Sequence, residues 1–380
     1  VSVIANFLQW KETARVPERI AAAAALARTY VQRELNDEQK AAAHAAMTIL
    51  LDDPSPKVRM ALSDGLCMSG KAPVDIVVAL AADQREVAAP VILHSPLLTD
   101  SDLVGLLTQS GRAEIQVLIA SRMDLSPRVI ATIAEIGSMK ACAVLASRKD
   151  VHIPDISMRR IIERHGRDGT MRSLLLKNGS LSPCCRHLLL KLASEALGAS
   201  PLVVGVLGED GARAAVANAR TEASVTLVEN LRQSEQTALA ARMRENGELT
   251  SSLLVRMVAF GRTGFFVAAM SAVTGIPEVR LAGLFQAGSR RALLGLLRQA
   301  GLRPVTHEPI LAALLLCREV DAGRKVAGPL EISRVMLNAL EEGVEGGEPE
   351  RAALASLLRR IHLEEMRKYA RNQAWTLAAA

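Results

Sequence analysis

Aromatic residues are nearly missing from this chain: two Trp, two Tyr and five Phe in 380 residues. A protein that reads single-stranded nucleic acid by stacking bases needs such rings along its binding surface. Trp10 and Trp375 stand close to the ends, and Tyr30 and Tyr369 are no better placed. Base stacking is therefore disfavoured. Cysteine is scarce too. Cys67, Cys142, Cys184, Cys185 and Cys317 form no C-x-x-C pair, and their odd number argues against a disulfide framework. This usage suits a reducing compartment, and a cytoplasmic location is expected. Long charge-free apolar runs are lacking. The longest, Thr263 to Pro277, contains two glycines and a proline and falls short of the roughly 20 residues a membrane span requires. Lys11, Glu12, Arg15 and Glu18 interrupt the N-terminal region, so it does not read as a secretion signal.

Apolar residues nevertheless make up 49% of the chain. With few rings and few β-branched runs, the core must be Ala, Leu, Val, Ile and Met, the filling of closely stacked helices. The segment "LLDDPSPKVRMALSDGL" shows the local grammar. Asp53 or Ser55 is placed to cap a helix, Pro56 suits its first turn, and Val58, Ala61, Leu62 and Leu66 follow at helical spacing.

That grammar recurs. A Leu or Ile followed by a cap or Pro signal stands at Leu98, Leu125, Ile153 and Leu181, and again at Leu249, Ile276 and Leu302. The spacing is 26 to 28 residues within each series. Eight residues beyond these anchors are Leu106, Ile133, Ile161, Leu189, Met257, Leu284 and Ile310, all apolar. Farther on, Gly111, Gly137, Gly166, Gly261 and Gly288 are expected to end helices in left-handed conformation. A second short helix follows in several repeats ("AEIQVLIASR", "MKACAVLASR", "TMRSLLLKNG"). One such pair cannot bury its own apolar face, whereas stacked pairs share a core.

The expected fold is an all-α solenoid of hairpins about 28 residues long, ending in an amphipathic helix. Residues 1–200 form an N-terminal array, 201–248 a longer helical connector and 249–320 a second array. Residues 321–349 read as a Gly/Glu-rich linker, and 350–380 as the C-terminal helix, with Leu354, Leu357, Leu358 and Ile361 on one face.

"DDPSPKVRMAL" resembles a HEAT-type repeat. The resemblance implies that Asp52 or Asp53, together with Arg59, ties neighbouring units together. This run, with "APVILHSPLLTDSDLVGLL", "RRIIERHGRDGTMRSLLL" and "LTSSLLVRMVAFGRTGFFVAAM", also resembles the bacterial domain-of-unknown-function family 2336. That likeness implies a helical repeat protein and carries over no catalytic residue.

Few residues suggest chemistry. "CCRH" gathers Cys184, Cys185 and His187, short of the four ligands of a structural zinc site. "FGRTGFF" lacks the G-K-[ST] ending of a phosphate loop and reads as a helix end followed by a helix start. No metal or cofactor is expected. Charge is more informative. The chain carries 46 Lys plus Arg against 40 Asp plus Glu. Arg159, Arg160, Arg164, Arg167 and Arg172 form one cluster. Between Leu249 and His307 stand seven arginines, among them Arg280, Arg290, Arg291 and Arg298, against one acid, Glu278. A run of this kind is commonly a solvated face. As a docking surface, it suits an acidic protein partner, since guanidinium forks fit carboxylates. The leading expectation is a non-enzymatic scaffold or regulatory adaptor. The alternative is a binder of nucleic acid or a phosphorylated small molecule, and the third an enzyme of unrecognised type. The chain's own Glu341, Glu342, Glu345, Glu348 and Glu350 are candidate acids to fold back over the arginines.

Overall fold

The computed structural model describes residues 3–109, 111–179, 181–343 and 347–379; Glu345 and the Trp375 side chain lie outside the described residues. No strand occurs among the described residues. The chain divides into two compact units, Val1–Leu181 and Ser182–Ala380.

Unit 1 contains α1 (Val3–Thr13), α2 (Val16–Gln32), α3 (Asp37–Leu51), α4 (Pro56–Leu66), α5 (Val74–Ala81), α6 (Arg85–His94), α7 (Asp100–Gln109), α8 (Ala113–Ser121), α9 (Pro127–Ile136), α10 (Met139–Ser147), α11 (Asp155–His165) and α12 (Gly169–Leu176). Most of these helices pack on the one two places on, while α3 and α5 also lean on their neighbours α2 and α6. The even series runs unbroken from α2 to α12, and the odd series packs as α1–α3–α5 and α7–α9–α11. This two-layer stacking is that of a helical-repeat solenoid. Its interior is aliphatic: Leu50, Leu62, Leu80, Ile92, Ile119, Ile133 and Leu145 are fully buried.

Unit 2 contains α13 (Pro183–Gly198), α14 (Pro201–Glu229), α15 (Gln233–Glu245), α16 (Ser251–Ala259), α17 (Thr263–Thr274), α18 (Glu278–Ala287), α19 (Arg290–Gln299), a 3-10 turn (Pro304–Thr306), α20 (His307–Asp321), α21 (Pro329–Glu342) and α22 (Glu348–Ala379). Its core gathers Phe265, Phe266, Met257, Ile310 and Met336 with Leu354, Leu358 and Ile361 of α22. None of the described helices alone is long and apolar enough to cross a membrane; α13 and α14, bent by 92°, reach that length and composition only together.

All seven anchors stand two residues before a helix or, at Leu302, before the 3-10 turn. Ser126, Ser182 and Thr250 accept the N–H of Val129, Cys185 and Leu253, so the caps are real. Of the residues eight beyond the anchors, five are fully buried, and Leu106 and Leu284 are half-buried. Gly261 ends α16 as expected, and Phe265 and Phe266 lie inside α17.

Three expectations need correction. Left-handed backbone occurs at Gly111 (φ 51°) and Gly261 (φ 69°) but not at Gly137, Gly166 or Gly288. At Gly137 and Gly288 the requirement is space, because a Cβ would collide with the carbonyl oxygen of Ile133 or Leu284. Neither Asp53 nor Ser55 caps α4 through its side chain. The Asp53 carboxylate is taken by Arg19 and by the N–H of Ser55. The span read as a linker, 321–349, contains α21, whose Ile332, Met336 and Leu340 are buried. Glu348 and Glu350 belong to α22, whose Leu354, Leu358 and Ile361 are part of the core of unit 2.

Candidate functional site: an arginine-rich surface in unit 2

Most arginines of unit 1 are bound internally. Arg19 grips Asp53 through Nε (2.8 Å) and Nη2 (3.2 Å), and Asp53 is 1% exposed. Arg59 grips Asp83 (2.5 and 3.0 Å) and also donates to the Asp53 carbonyl (2.6 Å). Arg112 then donates to the carbonyls of Asp83 and Ala82. This ladder matches the role that the HEAT resemblance implied for Asp53 and Arg59. The hydrogen bond to Asp83 raises the Arg59 pKa against the opposing effect of burial.

A second device was not read from the sequence. A helix ends with carbonyls that have no partner inside it. Here an arginine from the next repeat supplies the donors. Arg122 caps α6 through the carbonyls of Ile92 and Ser95 (2.7 and 2.6 Å). Arg148 caps α8 through Ala120 (2.9 Å), Arg122 and Met123. Arg164 caps α9 through Ala134 (2.8 Å) and Gly137 (2.9 Å), and in unit 2 Arg318 does the same for α18 through Phe285 and Gly288. The signal was present: "ASR" closes both α8 and α10.

The first cluster of candidate residues falls within this framework. Arg164 is a cap, and Arg172 donates to the carbonyls of Gly166 and Arg167. Arg160 forks onto Glu135 (2.7 and 2.8 Å), a hydrogen bond that draws the Glu135 carboxyl below its ordinary pKa. Arg159 lies 3.6 Å from Glu163. Arg167 is exposed.

The second cluster is in unit 2 and differs. Arg280, Arg290, Arg291 and Arg298 are all exposed on α18 and α19. Arg290 pairs with Glu308. Glu278, the lone acid of the stretch, accepts from Gln233 (2.9 Å) and Thr237 (2.7 Å) on α15. Among the described residues, Arg280 and Arg291 have no carboxylate within ion-pair distance.

Other reactive groups are held quiet. Burial pushes the thiols of Cys142 and Cys317 up to about 11, so both are protonated at neutral pH. His187 of "CCRH" bonds Glu248 (2.8 Å), as does Lys191 (2.7 Å), and Cys185 is buried. Among the described residues, no group of three His, Cys, Asp or Glu side chains is placed to hold a metal ion.

The model of a family described as "Uncharacterised protein conserved in bacteria (DUF2336)" matches residues 87–347, more than two thirds of the chain. The chain belongs to this family. The DUF2336 match begins inside α6, downstream of the Asp52–Leu62 segment, and ends at the residue before α22. It therefore covers α18 and α19 and the arginine caps of α8, α9 and α18. Comparison with curated proteins and with solved structures gave no match.

Proposed function

We propose that this DUF2336 chain is a non-enzymatic scaffold that docks an acidic protein partner on the arginine-rich surface of α18 and α19. One observation carries the reading. The sole acid between Leu249 and His307 is tied to α15, and Arg280 and Arg291 face solvent without a carboxylate to neutralise them. An exposed guanidinium keeps its hydrogen-bonding fork available for a partner's carboxylates. Uncompensated charge of one sign also speeds encounter with a surface of the opposite sign. The short helices underneath are fixed by Leu281, Leu293 and Leu297, which are fully buried, so the arginines stand on a packed support.

The test is affinity purification of the chain from its host, with the partner's recovery followed as ionic strength rises. The wild-type chain should retain a stoichiometric acidic protein at low salt and release it at high salt. The double variant Arg280→Glu/Arg291→Glu should lose that protein with its melting temperature unchanged. Equal recovery by the variant contradicts the reading.

A further inference from the structure

Unit 2 holds a second basic feature, away from Arg280 and Arg291. A pocket of about 590 Å³ is formed by α14, the first turn of α16, the 3-10 turn and α22. Its polar wall includes Asn218, Thr250, Ser252, Arg303 and Arg360, with Glu350 as its one carboxylate. Arg303 is exposed, and no hydrogen bond or ion pair engages its side chain among the described residues.

A buried arginine that does not itself line the pocket reaches the lining residue Asn218. Arg256, in the second turn of α16, is 1% exposed. Its Nη2 reaches Asn218 Oδ1 over 3.4 Å, and the same oxygen accepts from Arg360 Nη2 at 2.7 Å. Arg256 Nε has no partner. A buried guanidinium is ordinarily matched by a carboxylate, because leaving its charge uncompensated is costly. Here two guanidiniums share one neutral amide oxygen. Glu364 and Glu222 act on Arg256 only at longer range, while burial and then the nearby Arg360 push its pKa down. Among the described residues, Asn218 thus offers Arg256 and Arg360 a neutral acceptor where a carboxylate would ordinarily stand.

We infer that this pocket binds a phosphate group, either as the free anion or on a small phosphorylated molecule, between Arg303, Arg360 and the N-terminus of α16. Charge-assisted donors from two guanidiniums suit phosphate oxygens. The first turn of α16 adds its dipole and backbone N–H groups. The hydroxyl of Thr250 already accepts from Leu253, which fixes this turn in place. Glu350 opposes any anion, so it sets the affinity from the other direction. This inference does not depend on the partner-docking surface.

Isothermal titration of the full chain with inorganic phosphate, and separately with a nucleoside monophosphate, tests it at constant ionic strength maintained with chloride. Saturable binding of at least one probe is expected. Arg303→Ala should weaken it about tenfold or more, and Glu350→Gln should strengthen it, both with unchanged melting temperature. Tighter binding of the nucleoside monophosphate assigns the pocket to a phosphorylated small molecule; equal or tighter binding of phosphate assigns it to the free anion. No saturable heat with either probe, or unchanged affinity in Arg303→Ala, overturns the inference.

Discussion

Glu248 shows how one buried acid is settled by its partners. Burial by itself would raise its pKa, yet the hydrogen bonds from His187 and Lys191 prevail and lower it to about 2 from an ordinary 4.5. A depressed carboxyl contributes stability above its unfolded value, and the contribution disappears as pH falls through the folded value. Glu248→Gln should therefore cost on the order of 2–3 kcal/mol at neutral pH. In urea denaturation at a series of pH values, the gap from wild type should close between pH 4.5 and 2; a gap independent of pH would refute the assignment. The sequence could place only two of these three residues together. His187 and Lys191 share a face of α13 through their i, i+4 spacing, but Glu248 joins them from 61 and 57 positions away. The tying role of Arg59 was legible only through the resemblance of its segment to a HEAT-type repeat, since its partner Asp83 stands 24 positions away. The cluster at the pocket was not legible, since Arg256, Asn218 and Arg360 meet only when three distant helices pack.

At the level of the helices, the starts were the clearest part of the sequence. Caps and first-turn prolines act over three or four residues, so the seven anchors marked helix starts to within two positions. The ends were harder to read. Gly137 and Gly288 are glycines because of a neighbouring carbonyl, and that contact cannot be seen in composition. The ends also depend on side chains from the following repeat, such as Arg148, whose guanidinium donates to three carbonyls at the end of α8. Removing it leaves those groups without their donors, so Arg148→Ala should cost about 1–3 kcal/mol in urea denaturation. Arg148→Lys should recover only part of the loss, because an ammonium cannot reproduce the planar fork. Full recovery by Lys would show that charge alone matters there.

Across the whole molecule, the period identified the repeat class, and its breaks identified the longer α14 and α15. It could not show that α21 and α22 belong to the core. Gly and Glu at 341–350 suggested a linker, but the apolar stripe of Leu354, Leu358 and Ile361 pays for ordering the helix beyond it. The central claim is that short helices, with α22 among them, bury one continuous apolar spine in each unit. Hydrogen exchange on the 380-residue chain tests this most directly. Slow exchange is predicted through α4, α6, α8 and α10 of unit 1, and through α16, α17, α20 and the Leu354–Ile361 stretch of unit 2. Exchange of that α22 stretch at the rate of an unfolded peptide, while α16 and α20 remain protected, would contradict it.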